Sequence, residues 1–229
     1  MKKTLVLAMA LAAVCIMPSC EKNPKPNETT TGTLNGHEYV DLGLPSGTLW
    51  ATCNVGADTP ESYGDYFAWG ETSPKDTYSW ETYKWCKGSQ YTLTKYCSNS
   101  SYGTVDNKTV LDPEDDAAQA NWGGTWRMPT HDEFTELRTK CTCELTSLNG
   151  VYGRKVTGPN GNSIFLPAAG YRYDSSLYNA GSYGLYWSST AVSSSKAYYL
   201  VLNLSNVHPG MVLNYGYYGW SVRCVVSGV

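Results

Sequence analysis

Charge is scarce in this chain. Only 16% of its 229 residues are charged, 17 basic against 20 acidic, for a formal net charge of −3. The basic surface that neutralises phosphates is therefore missing, which excludes a nucleic-acid binder held by electrostatics. Scarce charge does not mean disorder, because 41% of the residues are hydrophobic and 13% aromatic, enough to build a core. Histidine is limited to His37, His131 and His208, in separate parts of the chain with no local Cys–His signature, so surface or satisfied histidines are expected. No glycine-rich phosphate loop precedes a helix, and HExxH, GxSxG and internal repeats are absent. No apolar run reaches the ~20 residues needed to span a bilayer.

Phenylalanine is also scarce, with 3 residues against 19 tyrosines and 8 tryptophans. A tyrosine hydroxyl seeks a partner, so this excess points to surfaces that are aromatic yet wet. The length fits one globular domain with short additions.

The start of the chain reads as an export signal. Met1-Lys2-Lys3 is a basic head, Leu5 to Ile16 is apolar, and Met17-Pro18-Ser19-Cys20 follows. Cys20 after Ser19 resembles a bacterial lipobox, which implies lipidation of Cys20 and a signal over residues 1–19. An ordinary cleaved signal with a free Cys20 is the alternative. Loss of Lys2 and Lys3 takes the net charge from −3 to −5. Attachment would then be by covalent lipid, not by a polybasic patch. Residues 21–33, EKNPKPNETTTGT, lack large apolar side chains, so residues 20–34 read as a flexible tether, with the domain spanning residues 35–229.

Beyond Cys15 and Cys20 lie six cysteines: Cys53, Cys86, Cys97, Cys141, Cys143 and Cys224. Disulfides or buried thiols are expected over zinc, since Cys141-Thr142-Cys143 is too closely spaced and no histidine follows at ligand distance. Cys86 and Cys97 are the best local disulfide candidates. No metal or cofactor is expected.

Local signals place the elements. His37–Leu42 and Leu49–Cys53 read as strands, and residues 60–100 as a loop-rich region with short strands over Tyr66, Phe67, Trp69, Trp80, Tyr83 and Trp85. Asp112 fits a helix N-cap with Pro113 at the first helical position and a helix running to Ala120. The acids Asp112, Glu114, Asp115 and Asp116 favour capping over calcium, because the EF-hand spacing is missing. Thr130 and Glu133 form a capping box for a helix to Lys140, with Phe134, Leu137 and Cys141 on one face. Trp122, Trp126 and Met128 belong to the core. Val151–Thr157 and Ser163–Pro167 flank Asn160-Gly161 and predict a hairpin. Leu185–Ser189, Ala197–Leu204 and Trp220–Val226 read as later strands. The class is α+β, with two short helices, several short antiparallel strands and long loops.

These segments carry a resemblance. HEYVDLGLPSGTLWATCNVGA (37–57), YGDYFAWGE (63–71), NWGGTWRMPTHDEFTEL (121–137), VTGPNGNSIFLPAAGYR (156–172), YWSS (186–189) and SVRCV (221–225) resemble, in order, the Fibrobacter succinogenes major paralogous domain family of Bacteroidetes exported proteins. The resemblance implies a C-type-lectin-like fold, in the branch shared with formylglycine-generating enzymes, with the first and last strands paired. It does not carry an activity. The close cysteine pair of those enzymes is reduced here to Cys224, within the strand. The Glu-Pro-Asn and Trp-Asn-Asp signatures of calcium-dependent lectins are absent, and Gly158-Pro159-Asn160 is a turn.

Residues 171–220 hold ten of the tyrosines amid Ser, Gly and Asn, with charge reduced to Arg172, Asp174 and Lys196. This is a paratope-like composition. Tyr171, Tyr186, Trp187 and Tyr198 fall in the family framework, where tyrosine serves as a strand former. Tyr173, Tyr178, Tyr183, Tyr199, His208, Asn214, Tyr215 and Tyr217 are the candidate ligand-binding residues. The segment also looks like one diversified by a retroelement, which varies such positions before a fixed end. The expectation is a non-enzymatic, lipid-anchored outer-membrane adhesion protein, at the cell surface or facing the periplasm, whose ligand is a protein or glycan. An enzyme of the formylglycine-generating branch and a structural envelope or fimbrial component are the alternatives.

Overall fold

The computed structural model describes residues 31–205 and 209–228. Among them the class is α+β, dominated by antiparallel sheet. Strands β1 (Thr31–Leu34), β2 (His37–Asp41) and β3 (Leu49–Asn54) open the domain, and β12 (Arg223–Val226) closes it; they form one sheet in the order β1-β2-β3-β12. The last strand thus lies antiparallel against β3. β1 pairs with β2 from Thr31, inside the stretch expected to be tether.

No regular element occurs between Asn54 and Pro113, so the short strands expected in residues 60–100 do not form. Side-chain hydrogen bonds hold this stretch instead. The buried hydroxyls of Tyr66, Tyr78 and Tyr83 donate to the carbonyls of Ala169, Tyr66 and Trp69. Trp69 and Trp85 donate through Nε1 to Ser188 and Gly70. A buried carbonyl left unpaired costs about 1–3 kcal/mol, so here phenol and indole donors replace a strand ladder. Three of the 19 tyrosines serve in this bracing, where a phenylalanine could not replace the hydroxyl.

The expected helix after Asp112 is two elements. Pro113–Asp115 is a 3-10 turn, and α1 (Ala117–Trp122) is capped by Asp116, whose carboxylate accepts from the Ala118 and Gln119 amides. Asp112 makes no side-chain cap because its carboxylate is drawn to Lys95 and Lys108. Helix α2 (His131–Lys140) has the expected capping box, and its Phe134 and Leu137 are buried. Glu133 also grips Arg127 with two bonds of 2.6 and 2.7 Å.

A second sheet contains β4 (Thr142–Leu148), β5 (Val151–Thr157) and β6 (Ser163–Pro167). The β5–β6 hairpin has the expected bounds. Beyond it, β7 (Tyr171–Tyr173) and β8 (Ser176–Tyr178) form a small hairpin, and β9 (Tyr183–Ser193), β10 (Lys196–Asn203) and β11 (Gly210–Tyr215) form the third sheet in the order β11-β10-β9.

Residues 219–225 tie these pieces together. Gly219 bridges Arg172, Trp220 bridges Phe67, Ser221 bridges Tyr186 and Val225 bridges Arg127. Trp220 stacks on Trp187 at 3.7 Å in the core. Arg223 is fully buried, donating to Asn54 Oδ1 and to the carbonyls of Ala51, Thr52 and Phe165. Among the described residues no helix is long and apolar enough to cross a membrane.

Candidate functional site

The third sheet presents one face beside the β7–β8 hairpin, and its pairing explains what lies there. Tyr199 is opposite Trp187, Val201 opposite Leu185 and Asn203 opposite Tyr183. Across the other ladder Asn214 is opposite Ala197, and Gly210 is opposite Val201. Strand side chains alternate between faces, so Tyr183 and Leu185 of β9 share a face with Tyr199 and Val201 of β10 and Asn214 of β11.

That face and the hairpin enclose a cleft of about 310 Å³. Leu185 and Trp220, both buried, lie at its base. Tyr218 is nearly parallel to Trp220, at 5.9 Å and 19°. Tyr171 stands at 77° to Tyr218, with centroids 5.9 Å apart. Two rings therefore meet as a floor and a wall. Tyr183 and Tyr199 complete the aromatic lining, and the amides of Asn179 and Asn214 supply polar groups. None of the lining residues is charged. Burial pushes the phenols of Tyr171 and Tyr199 above the ordinary tyrosine value, so both stay protonated donors near neutrality. Asn179 holds a left-handed backbone, φ 56°, where asparagine is tolerated. Its carbonyl accepts from the Ser182 and Tyr183 amides, which turns the chain from β8 into β9. The indole N–H of Trp220 is closed off from solvent and has no partner among the described residues.

Three expected binding residues, Tyr183, Tyr199 and Asn214, line this cleft. Tyr173 and Tyr178 are exposed on the adjoining hairpin and touch its rings, Tyr178 with Tyr171 at 5.6 Å and Tyr173 with Tyr218 at 5.5 Å. Tyr215 is half-buried away from the cleft, 5.4 Å from Trp80, with Lys196 Nζ over its ring. Tyr217 is a correction. It is only 8% exposed and packs in a core cluster with Tyr66, Tyr83 and Leu93, so it is not a surface contact residue. The cause is local: Tyr215, Tyr217 and Tyr218 form a continuous ring stack under Trp80, which leaves Tyr217 inside. His208 and Cys20 lie outside the described residues.

No role in binding was legible in sequence for Tyr171, Tyr218, Trp220 or Asn179. Tyr171 was masked by its framework position and Trp220 by its place at the start of the expected strand Trp220–Val226. The available signal was the spacing of Tyr218 and Trp220, two apart and both aromatic, just before the closing strand.

The cysteine pairing is also corrected. The six described cysteines are free thiols. Cys86 Sγ donates to the Trp80 carbonyl and Cys97 Sγ to that of Asn99, so the two thiols serve different loops. Cys224 is fully buried and burial pushes its thiol well above the ordinary value.

Three acids, Asp112, Glu114 and Asp115, converge. Lys95 Nζ sits among them, 2.5 Å from both Asp112 and Asp115. Two other clefts of about 350 Å³ carry charge, one with Lys155 beside Phe165, the other with His37, Glu38 and Asp58 beside Trp122.

Comparison with protein-family models, curated proteins and solved structures finds no match to the chain.

Proposed function

We propose that this is an exported, lipid-anchored, non-enzymatic binding protein that presents its C-terminal aromatic face to a ligand outside the cell or in the periplasm. The domain is then a C-type-lectin-like member of the Fibrobacter succinogenes major paralogous family, held to the outer membrane through Cys20. The observation that carries the reading is the cleft at Tyr171, Tyr183, Tyr199 and Tyr218. It gathers aromatic and amide side chains from three separated stretches of chain on one open face. Aromatic bodies with polar tips supply contact area at low entropic cost.

Catalysis has less support. The cleft lining holds no carboxylate, histidine or thiol to transfer a proton or attack a substrate. Cys224, the one cysteine in the position of the enzymes' thiol pair, is sealed in the core. Retroelement variation would suit the exposed Tyr173 and Tyr178 and would spare Tyr186 and Tyr217, which are buried.

The test is binding of the full-length protein to combined glycan and protein arrays, beside a Tyr171→Ser/Tyr218→Ser variant checked by thermal melting. Capture by the wild type that the folded variant loses supports the reading. Capture indifferent to the double substitution rejects the cleft as the binding site.

A further inference from the structure

We infer that the cleft takes a neutral carbohydrate, one or two pyranose units deep, without calcium. This rests on the proposed binding function and narrows its ligand.

Size argues first. A cleft of about 310 Å³ lies at the small end of small-molecule sites. A stable protein partner needs about 800 Å² of surface on each side, and the cleft is a pocket within that scale, not a platform for it.

Chemistry argues second. With no charge in the lining, a phosphate or carboxylate would enter without a counter-ion and pay its desolvation unpaired. A wholly apolar ligand would strip water from the Asn179 and Asn214 amides and return no hydrogen bonds. Phenols and carboxamides each donate and accept. Sugar hydroxyls do the same, so the two sets match without a fixed polarity.

Shape argues third. A pyranose has a face of C–H bonds, and the negative face of an aromatic ring attracts such polarised hydrogens. Tyr218 offers the ring to stack on, and Tyr171, at 77° to it, stands where equatorial hydroxyls would reach its edge and the Asn179 amide. Calcium has no part, because the cleft has no carboxylate. The convergent acids lie elsewhere and are occupied by Lys95.

The experiment is calorimetric titration of the full-length protein with a neutral β-1,4-glucan tetramer, a neutral α-1,4-glucan tetramer and a galacturonate tetramer, with calcium and with excess chelator. Binding of a neutral tetramer, equal in calcium and chelator and at least about tenfold weaker in Tyr218→Ser, is the expected result. Tyr183→Phe and Asn214→Ala, each removing a polar tip with little packing change, are expected to weaken the same binding if the serine variant fails to fold. Preference for the galacturonate tetramer, or loss of binding in chelator, overturns the inference. If neither neutral sugar binds while array capture of a protein depends on Tyr218, the carbohydrate inference falls and the binding face stands. If no capture depends on Tyr218, both fall.

Discussion

The Tyr199 ring lies 4.0 Å from that of Trp220, which in turn stacks on Trp187. A residue of the tyrosine-rich strand β10 thereby rests on the tryptophan that precedes the closing strand. The candidate cleft is built directly on the core, so its geometry depends on residues far from its rim.

The same packing separates two tyrosines that look alike in sequence. Tyr217 is buried among Tyr66, Tyr83 and Ala169, whereas Tyr215 is half-exposed. Tyr217→Ala is expected to cost about 3–5 kcal/mol, the usual range for deleting a buried aromatic. Tyr215→Ala is expected to cost less than half as much. Thermal unfolding of the two variants checks this; equal losses would mean the ring stack is shared evenly.

Glu133 makes stability depend on acid. Burial opposes its ionisation, but the Arg127 guanidinium and the Thr130 amide outweigh that and hold its carboxyl below the ordinary 4.5. A folded-state value below the unfolded one gives stabilisation that is complete above 4.5 and is lost as pH falls through the folded value. Glu133→Gln is expected to be less stable at neutral pH and to show a flatter decline below pH 4.5. Denaturant melts across pH measure both. A parallel decline in the two proteins would assign the acid sensitivity elsewhere.

Arg223 has no carboxylate among its hydrogen-bond partners and is caged by oxygens from β3 and β6. Arg223→Met would leave three backbone carbonyls and the Asn54 amide oxygen without this donor, at about 1–3 kcal/mol each, against a total stability of about 5–15 kcal/mol. Loss of cooperative folding is expected, with Arg223→Lys intermediate. Circular dichroism melts decide, and a Met variant melting near the wild type would refute the cage's importance.

Lys95 is the cation shared by the acidic cluster, with Lys108 beside Asp112 and Lys84 beside Asp115. It closes on Asp112 and on the buried Asp115, and the Tyr96 hydroxyl donates to Asp115 as well. Calcium is therefore expected to leave the thermal midpoint of the wild type unchanged, while Lys95→Met lowers it by leaving Asp115 with less compensation. A midpoint that rises with calcium in the wild type would contradict this.

How much of this was legible in the sequence follows from how local each signal is. The capping box at Thr130 and Glu133 and the Asn160-Gly161 turn are complete within a few residues, and both elements form with the expected limits. Strand β4 gave no signal. Thr142–Leu148 is a partly exposed edge with little apolar alternation, and its pairing with β5 is settled only when the chain folds back. Residues 60–100 are loop-rich as expected, but the short strands do not form, because the tyrosines and tryptophans that look like strand formers bond carbonyls through their polar tips, up to 119 residues away. The cleft was half legible. Composition pointed to the tyrosine-rich segment and the framework set Tyr198 apart from Tyr199; the register of β9, β10 and β11 puts Tyr199 on the cleft and Tyr198 against His131. Only the ring stack shows that Tyr217 faces inward.

The central claim is that ligand is held in this cleft. Oxidative footprinting of the full-length protein, with and without a captured ligand, tests it most directly. Protection concentrated at Tyr171, Tyr183, Tyr199 and Tyr218 is the expected result, with Tyr91 and Tyr152, exposed elsewhere, unchanged. Protection confined to the clefts at Phe165 or Trp122, with the four tyrosines unprotected, would contradict it.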